Sequence, residues 1–298
     1  TYIGTEDNTF CTIFGKNEYA GEKGSGVMKA NVIGGDARSG WCAEALRAAG
    51  WTVSPLGVPA QADTPPDASA EVVVLPFPSF DGELLRGPAK LSVRVLLEQV
   101  AAGQRVFGGC FGIWRETLAA RGCTVRDLYG AEPLTTANAV PTAEGAIALA
   151  MQESSVTLHG ARCLVIGFGR IGKVLAQKLR ALSAQVTVSV RRAGDQGLAE
   201  ALGLDSEQTG IYAHGLKQYD FVFNTVPAPV LSAAQLRQLS PECVLIDLSS
   251  APYGIAPELC AEAGVRCRYA PGLPGKCAPK TAGTLYARQI LSECEELS

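Results

Sequence analysis

The stretch "RCLVIGFGRIGKVLAQKLRAL", residues 162–182, constrains this chain more than any other. Leu164, Val165 and Ile166 read as a buried strand that stops at Gly167, and Ile171, Val174, Leu175, Leu179 and Leu182 then recur at helical spacing. A strand, a glycine turn and a helix in this order predict a parallel α/β sheet with a phosphate site at the helix start. Gly167 permits the tight turn, Gly169 lets backbone approach a pyrophosphate, and Gly172 lets helix and strand pack closely. Arg170 and Ile171 complete the turn, and their amides face the same phosphates.

Roughly 20 residues beyond such a motif, an acidic residue ordinarily accepts hydrogen bonds from the adenosine ribose. Here "VTVSVRRAGD" places Arg191 and Arg192 instead. Two guanidinium groups suit a 2′-phosphate better than a hydroxyl, so NADP is expected over NAD; the alternative is that Asp195 turns back to the ribose. Ligands of a parallel sheet lie beyond the carboxyl ends of its strands. "NTVP", Asn224 to Pro227, and "DLSS", Asp247 to Ser250, therefore face the cofactor, with Thr225, Val226, Pro227 and Leu248 as contacts. His159 falls at the opposite end and His214 in a turn, and both read as structural.

Strands and helices alternate through the rest of the chain. "ANVIGG", "WTVSP", "EVVVLP" and "QRVFGG" read as strands, with helices at "SGWCAEALRAAG", "LSVRVLLEQVAAG" and "IWRETLAARG". Their short apolar strands lack alternation, as helices on both faces require. The fold class is α/β, with two Rossmann-like domains containing parallel sheets. Residues 28–137 form an N-terminal α/β, flavodoxin-like domain, and 138–298 a nucleotide-binding Rossmann domain with a connecting helix and a C-terminal helix. Residues 1–27 precede the first convincing strand and Met28, and read as an extension. At 298 residues and 47% hydrophobic content, two cores can be buried without staples.

A formal net charge of −3, with both signs interspersed, argues against a nucleic-acid or membrane surface as partner. No apolar run approaches a membrane span, and the first residues lack a secretory signal's basic and apolar regions, so the chain reads as cytoplasmic. The ten cysteines are scattered without a CxxC pair and read as buried reduced thiols; with two histidines, no metal is expected.

A small acidic substrate needs local cations. "GGDAR" puts Asp36 and Arg38 at a helix start, where Asp36 serves as cap or acid/base group and Arg38 can grip a carboxylate. Around Pro141, Asn138, Thr142 and Glu144 are expected along the same cleft, with capping of the connecting helix as the alternative for Thr142 and Glu144. "APGLPGKCAPK" reads as a shaped loop rather than a regular element, carrying Lys276 and Lys280, of which Lys280 is the better substrate ligand.

The combination "IGGDAR", "NAVPTAEGAI", "HGARCLVIGFGRIG", "NTVP", "DLSS" and "APGLPGKCAPKTAG", spread from about residue 29 to 291, resembles the dipicolinate synthase A-subunit family. The resemblance implies an architecture like the D-2-hydroxyacid and alanine dehydrogenases. It also implies NADP-linked formation of dipicolinate from a lysine-pathway dihydro- or hydroxytetrahydrodipicolinate precursor in the mother cell of a spore-forming bacterium, alongside a flavoprotein-like B-subunit. A homo-oligomer is expected as well. On this reading Arg38 and Lys280 hold the substrate's carboxylates, and Asp36, Glu144 or Ser249 assists proton removal. Aromatisation demands little acid/base power, which accounts for a cleft without histidine. Two rivals are another NAD(P)-dependent 2-hydroxy or 2-amino acid dehydrogenase and a non-catalytic NADP-binding subunit.

Overall fold

A computed structural model describes residues 27–213, 215–250 and 253–296. Nearly all of the expected extension, and His214, lie outside the described residues. The first unit contains β1 (Lys29–Ile33), α1 (Ala37–Ala48), β2 (Thr52–Leu56), β3 (Val72–Val74), β4 (Phe80–Asp81), β5 (Leu84–Leu85), α2 (Val93–Gln99), β6 (Arg105–Gly108), α3 (Trp114–Ala120), β7 (Thr124–Asp127) and α4 (Glu132–Ala137). The helix α5 (Ala139–Glu153) carries the chain into β8 (Arg162–Ile166), α6 (Arg170–Ala181), β9 (Gln185–Val190), α7 (Ala193–Ala201), β10 (Asp205–Gln208), β11 (Phe221–Asn224), α8 (Ala233–Leu236), β12 (Val244–Asp247), α9 (Pro257–Ala263), β13 (Cys267–Tyr269), α10 (Leu273–Cys277) and α11 (Pro279–Glu295).

Two parallel sheets result. The first runs β2-β1-β3-β6-β7 and the second β10-β9-β8-β11-β12-β13. Strand order reverses beside β1 in the first and beside β8 in the second, so each sheet opens a crevice at its own switch point. The uninterrupted apolar strands follow from burial on both faces. Val72 and Val74 pack into one core with Leu46 and Ile290, while Val73, between them, packs into another with Leu96 and Leu118. In β8, Cys163 and Val165 face one core and Leu164 and Ile166 the other.

Four features depart from the sequence expectations. The antiparallel hairpin β4–β5 and the polar edge strand β10, "DSEQ", carry no apolar pattern that marks them. The Pro/Gly stretch after β13 is not an irregular loop: Gly272, at φ 70°, turns the chain into the short helix α10, with Pro274 in its first turn. The last helix, α11, does not stay with the second sheet. Leu285, Tyr286, Ala287 and Ile290 lie in the first unit's core, and the Tyr286 hydroxyl donates to the Leu75 carbonyl at 3.0 Å. The chain thus crosses between units twice, at the α4–α5 junction and through α10.

Five of the nine described cysteines are buried, as expected, while Cys243 and Cys267 are intermediate and Cys110 and Cys277 exposed. Among the described residues no helix is long and apolar enough to cross a membrane.

Candidate functional site

Gly167 leaves β8 at φ 96°, where a side chain would be strained and would also meet Thr225 Oγ1 at 2.6 Å. Its N–H donates to the Ser189 carbonyl at 3.0 Å, which fixes the turn to the end of β9. A Cβ on Gly172 would collide with the Gly167 carbonyl, so helix and strand can meet only through glycine here. Gly169 differs from both. A Cβ there meets nothing within 4 Å, and Gly169 caps α6 without any side-chain hydrogen bond. The first amides of α6 are left without a side-chain partner, beside a glycine that keeps the approach clear. That combination fits the phosphates of a dinucleotide.

The crevice beside this turn has a volume of about 430 Å³. Of the predicted cofactor residues, Gly167, Gly169, Arg191, Arg192, Thr225, Val226 and Pro227 line it, and Gly172 supports its floor from behind. Lys173, Ser189, Asp195 and Thr209 line it too. Thr209 follows the unrecognised strand β10, and its Oγ1 accepts from Ser189 Oγ at 2.6 Å. Lys173 lies 5.6 Å from the centroid of the Phe168 ring. Three cations thus face one acid, Asp195, in one crevice, an electrostatic setting that favours an anionic ligand.

The side chains of the remaining predicted cofactor contacts face elsewhere. Leu248 is 6% exposed and packs in the core. Ile171 packs against that same core. The Arg170 guanidinium reaches away to Glu132 and Thr135 on α4.

Asn224 and Asp247, expected to face the cofactor, turn inward and are fully buried. Asn224 Nδ2 donates to Asp247 Oδ1 at 3.0 Å, and Asp247 Oδ2 accepts from the Gly254 and Ile255 amides at 3.0 and 2.9 Å. Ser249 joins this network: its Oγ donates to Asp247 Oδ1 at 2.7 Å and accepts the Gly254 N–H at 2.8 Å. A hydroxyl engaged on both sides is a poor proton acceptor, so the network pins the loop after β12.

At the first sheet, Asp36 caps α1, accepting the Arg38 N–H at 2.9 Å, and its carboxylate also takes Arg38 Nε and Nη2 at 2.9 and 2.8 Å. Burial raises the Asp36 carboxyl, but hydrogen bonds and charge from Arg38 outweigh it and hold the carboxyl below its usual value. A Cβ on Gly275 of α10 would sit 2.8 Å from Arg38 Nε, so the second crossing lies directly against this pair. Lys280, at the start of α11, holds its ammonium 4.8 Å from the ring centroid of Trp41 on α1. Asp36, Arg38 and Lys280 therefore gather where α1, α10 and α11 meet, and Lys280, like Lys276, is exposed.

Glu144 does not join them. Its carboxylate accepts from Lys178 Nζ at 2.8 Å on α6, well along that helix from the glycine turn. Thr142 donates within its own helix, to the Asn138 carbonyl at 2.7 Å, and so does not cap it.

Comparison with known proteins follows this architecture. Residues 136–259 match the family "D-isomer specific 2-hydroxyacid dehydrogenase, NAD binding domain". The dipicolinate synthase A-subunit of Bacillus subtilis (strain 168) is 29% identical over 280 residues, covering 88% of this chain and 94% of that protein. The crystal structure of the dipicolinate synthase A-subunit from Bacillus halodurans superposes with a TM-score of 0.80 at 26% identity, covering 90% of this chain and 98% of that one. An L-alanine dehydrogenase shares the fold at 17% identity and a TM-score of 0.63, across 90% of this chain and 89% of that one. The chain is similar to the dipicolinate synthase A-subunit over most of its length, and it shares its fold with an alanine dehydrogenase.

Proposed function

We propose that this chain is an NADP-dependent oxidoreductase that forms dipicolinate from a dihydro- or hydroxytetrahydrodipicolinate precursor during sporulation, working in the mother cell with a flavoprotein-like B-subunit. The observation that carries the reading is the likeness to the dipicolinate synthase A-subunit over 88% of the chain and 94% of that protein. When bound, the dinucleotide supplies the hydride acceptor for aromatisation of the ring. The chain's own residues do the rest. Amides at the start of α6 bind the phosphates, and Arg191 and Arg192 take the 2′-phosphate.

Arg38 and Lys280 hold the substrate's two carboxylates. Arg38 gives Nε and Nη2 to Asp36, which leaves Nη1 for a ligand. Of the three candidate proton acceptors, Asp36 is the one placed with Arg38; Glu144 is paired with Lys178 and Ser249 is enclosed in the Asp247 network. Its lowered pKa keeps Asp36 ionised and makes it a weak base, adequate for a step that aromatisation drives.

One observation favours NAD over NADP as the cofactor: Asp195 lines the same crevice as the two arginines. Incubating the chain, with and without the B-subunit, with freshly generated precursor and either NADP+ or NAD+ tests both readings. Ultraviolet absorbance of the aromatic product is expected with NADP+. Reduction of simple 2-keto acids with NADPH or NADH, without dipicolinate formation from the precursor, would favour the rival dehydrogenase.

A further inference from the structure

The Arg170 side chain leaves the crevice that its backbone helps to build. Nη1 donates to Glu132 Oε2 at 2.8 Å and to Thr135 Oγ1 at 2.6 Å, both on α4. That helix belongs to the first unit, since its Leu134 lies in the same core as Val72 and Ile290. The second Glu132 oxygen is held as well, accepting from Thr136 Oγ1 at 3.0 Å. A carboxylate of one unit is therefore fixed beside the first residue of the other unit's phosphate-binding helix.

We infer that Glu132 is a positioning residue that sets dinucleotide affinity from across the cleft, acting through Arg170. The inference rests on the dinucleotide reading of the crevice. Without nucleotide, Glu132 occupies the guanidinium and places negative charge near the positive end of α6. A diphosphate seeks the same guanidinium and the same helix end, so the two anions compete. Arg170 and Glu132 have side chains 48% and 71% exposed, and exposed pairs are worth about 1 kcal/mol at most. Such a pair yields to a bound diphosphate while still lowering its affinity.

Calorimetric titration of the full chain with NADP+ and with NAD+ tests this. Glu132→Gln is expected to bind both nucleotides about two- to fivefold more tightly, because the competition sits at the diphosphate that both share. Glu132→Asp, which keeps the charge, is expected within about twofold of the parent chain. A role confined to holding the units together predicts weaker or unchanged binding instead. Unchanged or weakened affinity in Glu132→Gln overturns the inference, as does tightening for NADP+ alone, which would locate the effect at the 2′-phosphate. If the parent chain takes up neither nucleotide, the dinucleotide reading itself falls and this inference with it; a parent chain that binds beside an unaltered variant removes this inference alone.

Discussion

In the first unit Gly34 leaves β1 at φ 72° and donates its N–H to the carbonyl of Leu56, the last residue of β2; in the second, Gly167 leaves β8 at φ 96° and donates to Ser189 near the end of β9. Both turns open a twelve-residue helix. They part company at the helix start. Asp36 caps α1 with its own carboxylate, whereas Gly169 begins α6 with no side chain at all. The first turn is also covered by protein: Gly35 N–H donates to the Arg86 carbonyl at 2.9 Å, and a Cβ on Gly87 would collide with the Gly35 carbonyl. One topology therefore yields two kinds of anion chemistry. Where the helix start is filled from within, the remaining cation is a side chain, Arg38; where it is left open, backbone amides remain for a ligand.

The contrast is most exposed at the glycines. Gly172→Ala is expected to destabilise the second unit and to abolish nucleotide binding, because the new Cβ meets the Gly167 backbone. Gly169→Val instead has open space in the protein, so thermal melting is expected to hold within a few degrees while calorimetry shows nucleotide affinity lost by at least about a hundredfold. Retained affinity in Gly169→Val would mean that the two helix starts do not differ as described.

Smaller effects separate the two kinds of cation. Replacing Arg191 and Arg192 together by Ala is expected to weaken NADP+ about a hundredfold or more while leaving NAD+ within about threefold, at roughly 1.5 kcal/mol or more per charge-assisted contact. Arg38→Ala is expected to raise KM for the dicarboxylate about tenfold or more and to spare NADP+ affinity; an unchanged KM removes its role.

The smallest effect is one of pH. The Asp36 carboxyl is lowered, so its contribution is complete above the ordinary carboxylate pKa and fades as pH falls through the lowered value. Asp36→Asn, which keeps the cap but removes the charge, is accordingly expected to cost about 1 kcal/mol near neutrality through the Arg38 pair, with the gap to the parent chain closing in acid denaturation curves below about pH 4.

Much of this contrast is legible in the sequence, because it rests on local chemistry. Glycines that must avoid a carbonyl, an Asp two residues before an Arg at a helix start, and strands covered on both faces leave plain marks there. What escapes is set by distant partners. Nothing local says that Glu144 pairs with Lys178 or that Arg170 reaches α4, since those choices depend on how helices far apart in sequence come together. Asn224 and Asp247 do stand at the strand ends expected of them, but their hydrogen bonds to each other and to Ser249, Gly254 and Ile255 turn them inward. Thr209 and β10 go unmarked because a polar edge strand lacks the apolar run that betrays a central one.

The return of α11 to the first sheet has a bearing on how the protein is made. The half synthesised first lacks part of one wall until the final seventeen-residue helix has emerged from the ribosome. Residues 27–137 alone would leave Leu46, Val72 and Val74 facing water where Leu285, Tyr286 and Ile290 belong. The first sheet is thus closed by a helix that follows the second, and cutting the chain at the apparent domain border would yield one incomplete half and one with a stray helix.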